Sequence, residues 1–201
     1  QQSAAFSHNG AAPGSARCRT RALLESGLLP GRATGHRTGR LPPMIDPAAL
    51  LPALEVETAA APDAAVIWLH GLGADGNDFV PIVDELSLPA GLALRFVFPH
   101  APVRPVTINN GFRMRAWYDI VAADFTARAD LAGLRQSQRQ LEALIGRERE
   151  RGIPAARIVV AGFSQGGAVA LHAGLRHPDR LAAVIALSTY LVDPDSLPVE
   201  A

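Results

Sequence analysis

The stretch RIVVAGFSQGGAVAL, Arg157 to Leu171, narrows the folds open to this chain more than any other. Its first seven residues are a short, β-branched apolar run suited to a strand buried on both faces. The last residues are small and apolar, as a helix packed close against a sheet requires. Between them stands Gly162-Phe163-Ser164-Gln165-Gly166, a G-x-S-x-G pattern at a predicted strand-to-helix turn. A residue at the tip of such a turn has a strained backbone. Side chains two places before or after it would strike the neighbouring helix or strand, hence Gly162 and Gly166. Ser164 then falls at a helix N-terminus, where free N–H groups and the positive end of the helix dipole favour a developing anion. Ser164 is the candidate nucleophile, and the Gln165 N–H the first candidate oxyanion donor.

The rest of the chain repeats the alternation of strand and helix. Leu54 to Ala59 reads as an edge strand, and Ala64 to Leu69 (AAVIWL) and Leu94 to His100 as buried strands. A short helix is expected over Asn77 to Leu86, and an irregular loop over Ala101 to Asp119. Leu131 to Arg151 has apolar residues at 131, 134, 141, 144 and 145, one face of a helix ended by Gly152 and Pro154. Arg157 to Phe163 is followed by a helix over Gln165 to Arg176 and a strand over Leu181 to Leu187. The class is α/β, a mostly parallel sheet with right-handed crossovers and flanking helices.

Charge divides the chain differently. Residues 1–43 hold six Arg and one Glu (+5), whereas residues 44–201 hold thirteen Arg and eighteen carboxylates (−5), and no Lys occurs. The first stretch is rich in Arg, Gly, Ala and Pro without an apolar period, so a disordered extension is expected over 1–43. Its composition also suits an organelle transit peptide, but upstream sequence before Met44 is the stronger reading. The zero net charge gives no field that would steer the chain to nucleic acid. No run is long and apolar enough for an integral membrane segment. Cys18 is the one cysteine, which excludes an intrachain disulfide or a thiolate metal cage and fits a cytoplasmic setting.

A second oxyanion donor is expected in the loop after Leu69, at the Leu72 N–H, because Gly71 and Gly73 let the backbone turn inward. His70 reads as a brace for that loop. The same loop, Gly71-Leu72-Gly73-Ala74-Asp75-Gly76, fits G-x-G-x-x-G, so a nucleotide-binding module using Gly71, Gly73 and Gly76 is the rival reading. It lacks the acidic residue expected at the end of the next strand, which reads Phe98-Pro99-His100.

HGLGADGNDF, FPHAPVRPVT, RAWYDI and AGFSQGGAVAL, in this order and spacing, resemble the bacterial carboxylesterase and acyl-protein thioesterase family of α/β-hydrolases, over about Ala64 to Leu191. The resemblance implies a serine hydrolase of short to medium acyl esters or thioesters, acting through an acyl-enzyme with no metal or cofactor. Its partner would be a small ester or thioester, possibly an acylated protein. The family's oxyanion donors match Leu72 and Gln165. It also implies that Ala101 to Asp119 shapes the acyl side of a cleft. Trp117 and Asp119 are expected to pack, Arg113 and Arg115 to be solvated rim charges, and Met114 to fill apolar space.

Such a serine needs a base, and that base a carboxylate, in the chain order serine, acid, histidine. After Ser164 come only His172 and His177, both too far along the following helix, and no histidine follows Asp179, Asp193 or Asp195. His100 precedes the serine, an order this fold does not use. No triad acid or base is expected within the chain. Residues 44–201 thus read as an incomplete α/β-hydrolase domain lacking its last strands, inactive or weakly active alone, with an inert α/β remnant as a further alternative.

Overall fold

The computed structural model describes residues 50–122 and 129–200; the extension expected over 1–43, Cys18 included, lies outside the described residues. In chain order the strands are β1 (Ala53–Glu57), β2 (Ala64–Leu69), β3 (Leu94–Pro99), β4 (Val103–Val106), β5 (Phe112–Arg115), β6 (Ile158–Phe163) and β7 (Ala183–Leu187). The helices are α1 (Ile82–Glu85), α2 (Leu131–Glu150), α3 (Gln165–Gly174) and α4 (Leu197–Glu200).

Five strands make one sheet in the order β1-β3-β2-β6-β7. β1 runs antiparallel to β3, and every other pairing is parallel. This is a mostly parallel α/β sheet, as expected from the sequence, with β1 at an edge as its polar alternation requires. The two-residue period of β2 divides the core. Ala65, Ile67 and Leu69 join Leu134, Leu141, Leu144 and Ile145 of α2 and Ala168 and Val169 of α3. Val66 and Trp68 face the other way, onto Phe96 and Phe98 of β3 and Val83 of α1.

α2 begins where the Asp130 side chain accepts the Gly133 N–H at 2.9 Å. It ends before Gly152, whose φ of +92° suits only glycine without strain. The helix expected over Asn77 to Leu86 is instead two pieces, a 3-10 turn at Gly76–Phe79 and then α1. Pro81, lacking an N–H, stands as the N-cap of the second piece and cannot continue a single helix through it.

The loop expected over Ala101 to Asp119 holds a hairpin. β4 and β5 pair antiparallel, Val103 opposite Arg115 and Val106 opposite Phe112. Asn110 (φ 55°) and Gly111 (φ 75°) supply the left-handed turn that joins them. The prolines at 102 and 105, which make the segment look irregular, are tolerated because this two-stranded ribbon lies outside the main sheet.

Candidate active site

Ser164 stands between the end of β6 and the first turn of α3, with φ 52° and ψ −119°. A non-glycine residue held there stores about 1–3 kcal/mol and persists only where its surroundings fix it. Here they do. The Ser164 N–H donates to the Leu187 carbonyl at 2.9 Å, and its carbonyl accepts from the Ala168 N–H at 3.1 Å and the Thr189 hydroxyl at 2.7 Å. Serine at a helix N-cap ordinarily turns its hydroxyl back to cap the helix, but Ser164 makes no such bond. A Cβ on Gly162 would overlap the Gly166 carbonyl, and one on Gly166 the carbonyls of Leu69 and His70. Only glycine lets β6, α3 and the loop after β2 approach this closely.

That loop is braced from beneath. The Ala101 N–H donates to His70 Nε2 at 3.0 Å, which places the ring proton on Nδ1, 2.7 Å from the Gly71 carbonyl it donates to. Trp117 Nε1 donates to the His70 carbonyl at 2.8 Å. Burial pushes the His70 pKa below its ordinary value, so the ring stays neutral. Both of its nitrogens are thereby engaged. The Gly73 N–H donates to the Arg115 carbonyl at 2.9 Å, whereas no acceptor among the described residues takes the N–H of Leu72. Gln165 opens α3, so its N–H has no acceptor within the helix.

The Gln165 side chain does something the sequence reading did not anticipate. Its Oε1 accepts the Trp117 N–H at 2.9 Å and its Nε2 donates to the Tyr118 carbonyl at 2.7 Å, all of it buried. This clamp ties the mouth of α3 to the strand end after β5. A polar side chain at the first position of an otherwise apolar, small-residue helix was the available signal.

Two clefts meet at Ser164. One, of about 360 Å³, is lined by Leu72, Ile108, Ile120, Gln165, Ser188 and Tyr190 as well as Ser164. The other, of about 320 Å³, is lined by Gly71, Leu72, Ala74, Asp78, Phe79, Phe163 and Ser164. Leu72 and Ser164 border both. Ile108, Ile120, Ser188 and Tyr190 were not singled out in the sequence, because their approach to Ser164 depends on the hairpin and on the end of β7.

The remaining candidates fall around this centre. Trp117 is buried, as expected, with its carbonyl accepting from the Ser137 hydroxyl. Asp119 is half-buried and receives the Thr107 N–H at 2.7 Å and hydroxyl at 2.5 Å. Arg113 is exposed, but Arg115 is not the free rim charge expected. It is half-buried, its Nη1 donating to the Ala101 carbonyl at 2.9 Å, because its side chain and carbonyl pin the loops after β3 and β2 to β5. Met114 is half-buried, its sulfur 3.5 Å from Asn109 Nδ2. Among the described residues no histidine lines either cleft. His100 Nδ1 accepts the Gly76 N–H at 3.1 Å, His172 is buried within α3, and His177 is bonded to the main chain of Asp179.

The nucleotide reading loses its cradle. The N–H groups of Gly73, Ala74 and Gly76 go to the carbonyls of Arg115 and Gly71 and to the His100 ring. They are unavailable to a pyrophosphate, and a four-residue 3-10 turn follows instead of a full helix.

The sequence pattern of the phospholipase/carboxylesterase family matches residues 52–201. Acyl-protein thioesterase 1 of Neurospora crassa is 44% identical over 147 residues, covering 70% of this chain and 60% of its own length. Acyl-protein thioesterase 1 of Yarrowia lipolytica is 42% identical over 142 residues, covering 70% and 63%. These relatives are fungal, so the likeness extends beyond the bacterial members. The chain spans about three fifths of their length. Among solved structures, Arabidopsis thaliana SOBER1 superposes with a TM-score of 0.64 at 30% identity, covering 68% of this chain and 66% of that one. Zea mays acyl-protein thioesterase 2 superposes with a TM-score of 0.62 at 28% identity, covering 74% and 66%.

Proposed function

The chain belongs to the phospholipase/carboxylesterase family, and on that premise we propose that it carries the nucleophile and the oxyanion-binding part of a serine hydrolase of short to medium acyl esters or thioesters. The observation that carries this reading is the placement of Ser164. It is held at a positive φ at the mouth of α3, its hydroxyl is not used as a cap, and it stands where two clefts meet beside Leu72 and Gln165.

In the proposed reaction Ser164 Oγ attacks the carbonyl carbon of the substrate. The carbonyl oxygen takes up the electron pair and is stabilised by the main-chain N–H groups of Leu72 and Gln165 and by the N-terminal end of α3. Collapse of this intermediate breaks the bond to the leaving alcohol or thiol, which departs with the serine proton, and leaves Ser164 acylated. Water then releases the acid. The apolar cleft of Ile108, Ile120 and Tyr190 suits the acyl chain. Proton transfer is assigned to an acid and a histidine outside the described residues, since both nitrogens of His70 are engaged and no other described histidine borders a cleft.

The names of the fungal relatives support a thioester on an acylated protein as one substrate class. A chain with a single cysteine suits a cytoplasmic enzyme, and no helix among the described residues is long and apolar enough to cross a membrane. The test is hydrolysis of p-nitrophenyl butyrate by the full-length gene product, with covalent labelling by a fluorophosphonate. Ser164→Ala is expected to abolish labelling and to lower turnover by at least about a thousandfold. The 201-residue chain itself is expected to turn over close to background. Undiminished hydrolysis in Ser164→Ala would refute the assignment.

A further inference from the structure

We infer that the second cleft beside Ser164 is a leaving-group subsite that selects an alkylammonium cation, through the Asp78 carboxylate and the rings of Phe79 and Phe163. The inference rests on the hydrolase reading above and names which side of the ester each cleft takes. Among the described residues no charged side chain lines the first cleft, whereas the second brings a carboxylate and two aromatic rings to the same space.

Asp78 lies on the 3-10 turn that follows the loop of Leu72. Its neighbour Asp75 is engaged, its Oδ1 accepting from the Asn77 main-chain N–H at 2.7 Å and from Asn77 Nδ2 at 2.8 Å. The Asp78 carboxylate has no hydrogen-bond or ion-pair partner among the described residues, and Asp78 is exposed and borders the cleft. Phe79 and Phe163 stand with ring centroids 6.0 Å apart, tilted by 49°. Trp68 packs behind Phe79 at 5.2 Å, which fixes that ring in place. Phe163 is 40% exposed, an unusual degree for a large aromatic beside a tight turn. A Cβ on Gly71 would press on its ring at 3.3 Å, so the glycine preserves the ring's position.

Aromatic faces attract cations, and a quaternary ammonium gives up little hydration on leaving water. The carboxylate supplies the net charge that the rings lack. A neutral leaving group of the same shape would gain the apolar contact alone. The two clefts therefore divide one substrate at Ser164, the acyl chain toward Ile108 and Ile120 and the ammonium-bearing alcohol or thiol toward Asp78.

The test compares butyrylthiocholine with its neutral isostere, the S-(3,3-dimethylbutyl) ester of thiobutyric acid, as kcat/KM ratios in the full-length gene product. The cationic ester is expected to be favoured about tenfold, and Asp78→Asn to cut that ratio about fivefold, with Phe163→Leu cutting it about threefold. A binding measurement independent of turnover accompanies it. Phenyltrimethylammonium titrated into the 201-residue chain should shift the ring resonances of Phe79 and Phe163, and less so in Asp78→Asn. Equal turnover of both esters, or a ratio unmoved by Asp78→Asn, overturns the subsite and leaves the hydrolase reading standing. Turnover of neither ester, with ammonium binding that still depends on Asp78, overturns the hydrolase reading and with it the leaving-group role.

Discussion

Ser164 and His70 show how single residues build this centre, one by bearing strain and the other by staying neutral. The strain at Ser164 is fixed by bonds to Leu187, Thr189 and Ala168. Below it, His70 holds the loop of Leu72 only while Nε2 is free to accept the Ala101 N–H. Burial lowers its pKa from the ordinary 6.5, and the same cause lowers those of His100 and His172. Above pH 6.5 these rings are neutral in both the folded and the unfolded chain. As pH falls below that value, the unfolded chain takes up protons that the folded protein refuses, so stability is lost until the folded pKa values are passed. Urea unfolding between pH 7 and pH 5 should therefore show stability falling with pH. His70→Gln should reduce that slope by up to about 1.4 kcal/mol per pH unit, one proton's share. An unchanged slope would show that His70 takes up its proton over the same pH range in the folded and the unfolded chain. The glycines around Ser164 were legible in the sequence because a steric demand leaves only one residue type. The side-chain clamp of Gln165 was not, since its partners are main-chain groups of Trp117 and Tyr118, 48 and 47 residues away.

Among the elements, α2 illustrates what periodicity can and cannot deliver. Of the apolar stripe read at 131, 134, 141, 144 and 145, the last four face the core, whereas Leu131 in the first turn is exposed. Ser137, Gln140 and Glu148 are buried as well, although their type suggests the solvated face. Position on the stripe decided their burial, and partners made it tolerable. Glu148, fully buried, meets Arg95 of β3 at 2.8 Å, Arg151 at 3.1 Å and Arg147 at 3.3 Å. Glu57 and Glu55 of β1 complete the cluster, at 2.8 Å from Arg95 and from Arg147 respectively. The edge strand is thus fastened to β3 and α2 by charge as well as by ladder bonds. Removing a buried partner strands the opposite charges, so Glu148→Ala should destabilise the protein by about 3–5 kcal/mol in urea unfolding. A loss below about 1 kcal/mol would mean that the three guanidinium groups are adequately served by β1 and water. The hairpin of β4 and β5 escaped the sequence reading for the opposite reason. Its strands are four residues each, too short for alternation to stand out beside two prolines, and only Asn110-Gly111 carried a turn signal.

For the molecule as a whole, the apolar runs foretold parallel strands but not their order, because order depends on which crossover packs on which face. The run expected as the last strand, Leu181 to Leu187, forms β7 over Ala183–Leu187. It pairs with β6 on one side, and among the described residues no strand pairs with the other. Ile185 and Leu187 are 41% and 38% exposed, whereas Val160 and Ala161 in the neighbouring β6 are fully buried. An unpaired strand edge with exposed β-branched and branched side chains is a template for pairing with a second copy. The chain's formal charge of zero at pH 7 offers no repulsion against that encounter. Light scattering on the purified 201-residue chain should accordingly report species larger than the 21.2 kDa monomer, increasing with concentration. Ile185→Lys places a charge on the exposed strand without touching the Leu187 carbonyl that holds Ser164, and should return the chain toward the monomer. A urea-unfolding midpoint equal to that of the wild-type chain would verify that the fold of the variant is intact. A wild-type chain that stays monomeric throughout, or an Ile185→Lys chain that associates equally, would show that the open edge of β7 is not the adhesive surface.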